Sequence, residues 1–315
     1  MIRFLLLLAF SLTAAAQDYP NKPIRFISST PPGATPDVAT RAFADLLSQE
    51  LKNPVIVENR PGANGLIAVE ATARSAPDGY TFLGTTAATL STNPYLYPKG
   101  MVAVTGLDPV TKLVNSDFVI AAQPGLGART FTELVQIIRS KPGALNASTT
   151  SKGSYAFLAG ELLKQTAKID FVTVPYTGGA ASAAALGGGH VHFSIEAPTM
   201  IEPLVQSGKA VVLATLGSQR HPRLRDVPTV AETGFPGYQV SGWIALMAPK
   251  GTPKEIVATV QSALAKAGQR PEVRAKMAQM DFQPVLNTPE EFATEWRAER
   301  ENWERLIRAR DIKID

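Results

Sequence analysis

The stretch from Ile27 to Leu47, ISSTPPGATPDVATRAFADLL, decides the fold class. A short apolar strand ends here, and the chain passes two prolines and a glycine before entering a helix. Pro31 and Pro32 lock φ, so the loop is stiff. Thr35 suits the N-cap, Pro36 the first helical position and Asp37 the first turn. A stiff loop in front of a helix presents that helix's unpaired N–H groups outward.

The same alternation continues outward from this stretch. Residues 24–28, 55–58, 80–86, 118–123, 171–176, 191–197 and 210–216 read as strands, with LNASTT (145–150) leading into a helix. Helical patterns cover 65–76, 130–140, 154–167 and about 199–207, and Thr130 with Glu133 forms a capping box. This predicts an α/β fold with largely parallel sheets. Residues 253–268, 271–280 and 288–311 are helical. The apolar stripe Phe292, Trp296, Trp303, Leu306 and Ile307 predicts packing onto a domain. Pro-rich corners after strands at 118–124 and 242–249 predict two crossings. One lobe is then 17–120 plus 246–315, and the other 121–245.

The 315 residues are 45% hydrophobic, enough for a sizeable core. The formal charge of +4 is spread along the chain and argues against a nucleic-acid partner. MIRFLLLLAFSLTAAAQ reads as a secretory leader, residues 1–16, cut before Gln17. The sequence contains no cysteine. That excludes disulfides, thiol nucleophiles and a lipid anchor attached through cysteine, so a free exported protein is expected.

Enzyme signatures are missing. No H-E-x-x-H, G-x-x-x-x-G-K-[ST] or G-x-S-x-G occurs. GANG (62–65) lacks the third glycine of a dinucleotide fingerprint and reads as a turn. His190 and His192 are expected on one face of a strand, without a third ligand for a metal. No cofactor and no catalytic residue are expected.

Helix entrances built from small residues remain: TPPGATPD (30–37), GTTAATLSTNP (84–94), TTSKGSYAF (149–157) and PYTGGAAS (175–182). Any single one of them reads as a plain turn; four at the carboxyl ends of strands, where ligands collect in open α/β sheets, are expected together to form anion-sized concavities of backbone N–H groups.

These residues resemble the solute-binding proteins of tripartite tricarboxylate transporters, the Bug family. The carrying segments include VENRPGANG (57–65), VPYTGGAASAAALGGGHVHF (174–193) and DVPTVAETGFPGY (226–238). The resemblance spans the chain beyond the leader. It implies a type II periplasmic-binding fold: two α/β lobes, two crossing strands and C-terminal helices. It also implies a monomeric periplasmic receptor for a small carboxylate-bearing organic acid, handed to integral membrane transporter subunits. A sensor kinase as the partner is the alternative; a secreted enzyme is a remoter one.

Carried over by motif, the ligand-binding residues are Thr30, Pro31, Pro32, Gly33, Ala34 and Asp37, with Tyr176, Thr177, Gly178, Gly179 and Ala180 facing them. Backbone N–H groups at Gly33-Ala34 and at 178–180 are expected to grip the carboxylate, with Asp37 fixing the loop. Thr85, Thr86, Thr150, Ser151 and Ser154 are candidate hydroxyl contacts. Glu196, at a strand end, is a candidate for a ligand hydroxyl or amine, or else a surface carboxylate or hinge partner. Trp243 is expected in the core or hinge. The family's usual first loop has Pro, an aromatic and a second Gly where Ser29, Thr30 and Ala34 stand here. Its second loop has Lys and Pro where Thr177 and Ala181 stand. These changes remove bulk and predict a roomier, hydroxyl-lined pocket.

Overall fold

The computed structural model describes residues 19–97 and 100–313. The expected leader and its cut before Gln17 lie outside the described residues. In chain order the elements are β1 (Ile24–Ser28), α1 (Thr35–Leu51), β2 (Val55–Asn59), α2 (Leu66–Ala73), β3 (Thr81–Thr86), α3 (Asn93–Leu96), α4 (Gly100–Val104), β4 (Leu107–Asp117) and β5 (Val119–Ala122). Then come α5 (Phe131–Ser140), β6 (Asn146–Thr149), α6 (Tyr155–Ala167), β7 (Val172–Pro175), α7 (Gly179–Gly187), β8 (Phe193–Glu196), α8 (Pro198–Gln206) and β9 (Val211–Thr215). The chain closes with β10 (Ser241–Pro249), α9 (Lys254–Gly268), α10 (Pro271–Gln279), β11 (Gln283–Pro284) and α11 (Pro289–Ala309).

The strands form a six-stranded sheet, ordered β11-β4-β10-β3-β1-β2, and a five-stranded sheet, ordered β7-β6-β8-β5-β9. Near-continuous apolar runs such as Ile24–Ile27 suit strands covered on both faces. The sheets are mixed rather than largely parallel. β1 pairs in parallel with β2 and β3, and β6 with β7 and β8, whereas β4, β5, β10 and β11 make antiparallel pairs. The reason is the double crossing: a chain that leaves one sheet and later returns runs in opposite directions along its two crossing paths.

β4 passes into β5 with only Phe118 between them, and the return runs from β9 through 216–240 into β10. The two crossings are stitched together, because Leu216 N–H donates to the Phe118 carbonyl at 3.0 Å and Val240 N–H to the Leu216 carbonyl at 2.8 Å. The expected boundaries at 120/121 and 245/246 both fall inside strands. Pairing assigns Val119–Ala122 to the five-stranded sheet and Ser241–Pro249 to the six-stranded one.

One contiguous apolar core runs under both sheets. It includes Ile27 and Leu83 from one, Ile120 and Phe193 from the other, and Phe292, Trp296, Trp303, Leu306 and Ile307 from α11. The stripe on α11 is therefore packing surface, as expected. Thr130 and Glu133 form the expected capping box at α5. Thr35 does not cap α1. The cap position falls on extended Ala34, and Thr35 is already the first helical residue.

Candidate functional site

The carboxyl ends of β1, β2 and β3 build one half of the candidate site. Asp37, in the first turn of α1 and 1% exposed, is its anchor. Its Oδ2 accepts the Gly33 N–H at 2.9 Å and the Arg41 Nε–H at 2.9 Å, and its Oδ1 accepts Asn59 Nδ2 at 2.6 Å. Burial pushes the Asp37 carboxyl up, but the donations from Arg41, Gly33 and Asn59 outweigh it and hold the group below the usual carboxylate range. Asn59 also donates to the Thr30 carbonyl at 2.9 Å, so β2 clamps the first loop. Sequence reasoning passed over Asn59, though it stands inside the VENRPGANG motif.

This clamp changes the expected donors. The Gly33 N–H is committed to Asp37, and the Ala34 N–H to the Pro31 carbonyl at 3.2 Å. Since α1 has no side-chain cap and Pro36 has no N–H, the outward donors at its mouth belong to Thr35 and Asp37. Thr30 is half-buried, while Pro31, Pro32 and Gly33 are exposed. Beside them, a Cβ on Gly65 would meet both Ser29 and Thr89, which brings the ends of β1 and β3 together. Thr86 and Thr89 share a hydroxyl contact at 3.1 Å, and the buried hydroxyls of Ser29 and Thr85 have no protein partner.

The ends of β6, β7 and β8 build the other half. Ser154 caps α6 by accepting the Phe157 N–H at 3.2 Å and also accepts the Thr150 hydroxyl at 2.7 Å. Both candidate hydroxyls are thus engaged locally, and Ser151 is exposed next to them. Tyr176 N–H closes β7 onto the Thr149 carbonyl at 2.9 Å, and Gly178 N–H turns back onto the Tyr176 carbonyl at 2.9 Å. Gly178, at φ +113, turns the chain into α7, a conformation that suits glycine. α7 also starts without a side-chain cap, so the N–H groups of Gly179, Ala180 and Ala181 form its open mouth. Thr177 and Ala180 are exposed there.

Glu196 lies directly beneath that mouth. It is 2% exposed, so the surface-carboxylate alternative is excluded. A Cβ on Gly179 would stand 2.8 Å from Glu196 Oε2. Oε2 accepts the Ala197 N–H at 3.3 Å, while buried Oε1 has no protein partner. Burial raises its carboxyl to about 7, with the Ser182 hydroxyl and the Ala197 N–H pulling the other way. Behind it runs a buried serine chain. Ser182 and Ser194 hydroxyls are 3.4 Å apart, and Ser148 donates to the Ser182 carbonyl at 3.1 Å. His190 and His192 are not on a strand: they precede β8, and His192 Nδ1 accepts the Asn146 N–H at 3.0 Å.

The two halves are joined across the sheets. Tyr155, the first residue of α6, donates to Glu299 of α11, and Trp303 of α11 donates to the Tyr155 hydroxyl at 2.9 Å. α6 of the five-stranded sheet is therefore held against α11, which packs on β4 of the six-stranded one.

The chain covers known proteins almost end to end. BugT of Bordetella pertussis is 33% identical over 302 residues, 95% of this chain and 93% of BugT. An R. palustris protein solved with adipate matches at TM-score 0.81 and 28% identity, covering 94% of this chain and 99% of that one. MatC from Rhodopseudomonas palustris, solved with bound malate, matches at TM-score 0.75 and 27% identity, covering 92% and 100%. The two-lobe α/β fold is that of solved periplasmic binding proteins. The model of the tripartite tricarboxylate transporter family receptor, TctC, matches residues 39–312, and with it this chain belongs to that receptor family.

Proposed function

We propose that the chain is a periplasmic solute-binding protein that captures a small carboxylate-bearing organic acid between two lobes. It delivers that acid unchanged to integral membrane subunits of a tripartite transporter. Strand pairing suggests lobes of 19–117 plus 241–313 and of 118–240, and the leader is removed on export. The protein acts as a monomer.

The observation that carries this reading is the pair of uncapped helix mouths. α1 and α7 each follow a short loop off a strand tip, in opposite sheets, with N–H groups unclaimed by side chains. Such mouths favour a negative guest by about 0.3–1 kcal/mol each through the helix dipole, before any hydrogen bond is counted. Adipate and malate in the solved relatives are guests of that kind. The hydroxyls of Thr30, Thr85 and Thr86 support a pocket suited to larger or hydroxylated acids.

The test is native mass spectrometry of protein purified without refolding, followed by calorimetry with a panel of mono-, di- and tricarboxylates. A co-purifying acid that rebinds supports the assignment. Turnover of that acid, or binding only of cations and neutral solutes, overturns it. A panel in which only small C4 dicarboxylates bind overturns the roomier pocket alone.

A further inference from the structure

Glu196 stands apart from the rest of the site because it puts a carboxylate where an anion is expected. Its Oε2 approaches the first residue of α7, and its Oε1 is buried without a protein partner. Its neighbours from β5, α7 and α8 are Val119, Gly179, Ser182 and Met200, none of them charged. A bound carboxylate on the α7 mouth therefore sits beside a second carboxylate with no cation between them. Two like charges in a water-poor site repel strongly, and an unpaired buried oxygen is costly in itself. One ligand feature resolves both problems: a hydrogen-bond donor next to the carboxylate.

We infer that Glu196 is a specificity-determining residue, selecting acids that carry a hydroxyl or ammonium group adjacent to the carboxylate seated on α7. This rests on the carboxylate-binding reading above and deepens it. The ionised Glu196 accepts the ligand's donor through Oε1, while the N–H groups of Gly179, Ala180 and Ala181 take the ligand's carboxylate. A plain saturated acid offers no donor, so it binds well only when Glu196 carries a proton. Because burial holds the group near 7, that proton is present at mildly acidic pH and absent above it. Above about pH 6.5 both carboxyls of a simple dicarboxylic acid are largely ionised, so within that range the ligand's own titration does not enter.

The experiment is calorimetry on the full protein with matched pairs: succinate and malate, glutarate and 2-hydroxyglutarate, adipate and 2-hydroxyadipate. At pH 8 the hydroxy acid of any pair that binds should bind about tenfold tighter or more, since a site built around a ligand hydroxyl rejects its deoxy analogue. Moving the wild type from pH 8.5 to 6.5 should tighten the plain acid more than the hydroxy acid. In Glu196→Gln the repelling charge is gone. The plain acid should then gain affinity, the preference should shrink to about threefold or less, and the pH dependence should vanish. Circular dichroism checks that the variant folds, and the wild-type pH series stands whether or not it does. Equal affinity within the wild-type pairs across that pH range overturns the inference while leaving carboxylate capture intact. If another acid of the wider panel binds instead, it and its 2-hydroxy analogue make the pair; if no carboxylate of the panel binds, both readings fall.

Discussion

Trp243 Nε1 donates to Glu299 Oε2 at 2.7 Å, and Tyr155 donates its hydroxyl to the other oxygen of the same carboxylate. Trp243 belongs to β10 and Glu299 to α11, on the six-stranded sheet, while Tyr155 opens α6 on the five-stranded one. One buried carboxylate thus ties the return crossing, the last helix and the second half of the site. Trp303 Nε1 adds a donation to the Tyr155 hydroxyl at 2.9 Å.

Burial raises the Glu299 carboxyl, only partly offset by its Tyr155, Trp243 and Trp303 donors and by the Lys112 charge. A carboxyl raised above its unfolded value of about 4.3 binds a proton more readily in the folded protein. Stability from this group is therefore greatest below that value and declines as pH rises toward the folded pKa. Glu299→Gln should flatten that decline in urea denaturation series between pH 4.5 and 8. Glu299→Ala, which strands buried donors, should cost about 2–4 kcal/mol. An unaltered pH profile in Glu299→Gln would show that the carboxyl is not perturbed.

Asp37 behaves in the opposite sense. Its folded pKa is depressed, so its contribution is present above about 3.9 and is lost as pH falls through the folded value. Asp37→Ala removes the acceptor for Gly33, Asn59 and Arg41. It should cost about 1–3 kcal/mol as a lower urea midpoint at unchanged slope, and should loosen ligand binding with it. Full stability in that variant would mean that another group holds the first loop.

Gly33 and Gly179 should fail for different reasons. Gly33 has φ +79 with open space around it, so Gly33→Val strains the backbone by about 1–3 kcal/mol. Gly179 lacks that conformation, but an added Cβ meets Glu196 Oε2 at 2.8 Å and Met200 Cγ at 3.0 Å. Calorimetry should show Gly179→Val weakening acid binding about tenfold or more, by tilting the mouth of α7. Wild-type affinity in Gly179→Val would remove α7 from the site.

Ser154 was a candidate ligand contact, and its geometry is that of a helix cap. Ser154→Ala should lower stability by about 1 kcal/mol and leave acid affinity nearly unchanged. A large affinity loss without a stability loss would restore the contact role.

Capture between the two proposed lobes predicts closure about the crossings at Phe118 and 216–240. Small-angle scattering should give a smaller radius of gyration with a bound acid than without it. Identical scattering in both states would argue for a preformed rigid pocket.

Much of the frame was legible in the chain. Strands at 24–28 and 80–86, the Thr130 box and the Ser154 cap follow from short-range period and capping, which local sequence encodes. β4 escaped notice because LDPVTKLVNSD carries Asp108, Pro109 and Lys112, residues that locally argue against a strand. It becomes one because β10 and β11 supply partners on either side. The loop glycines were visible, yet the commitment of the Gly33 N–H to Asp37 was not, since it depends on Asn59 of β2 holding that carboxylate from behind.

By itself, the order of residues determined strand–helix alternation, the stiff first loop, the glycine turn into α7 and the absence of thiol chemistry. Those are properties of neighbours a few positions apart. Only the tertiary structure decided that Glu196 is buried beneath Gly179 with its Oε1 unpartnered, and that Tyr155 reaches Glu299 across 144 residues. Such juxtapositions come from how two sheets pack over one core, and the desolvation that gives these carboxylates their character exists only once that packing has formed.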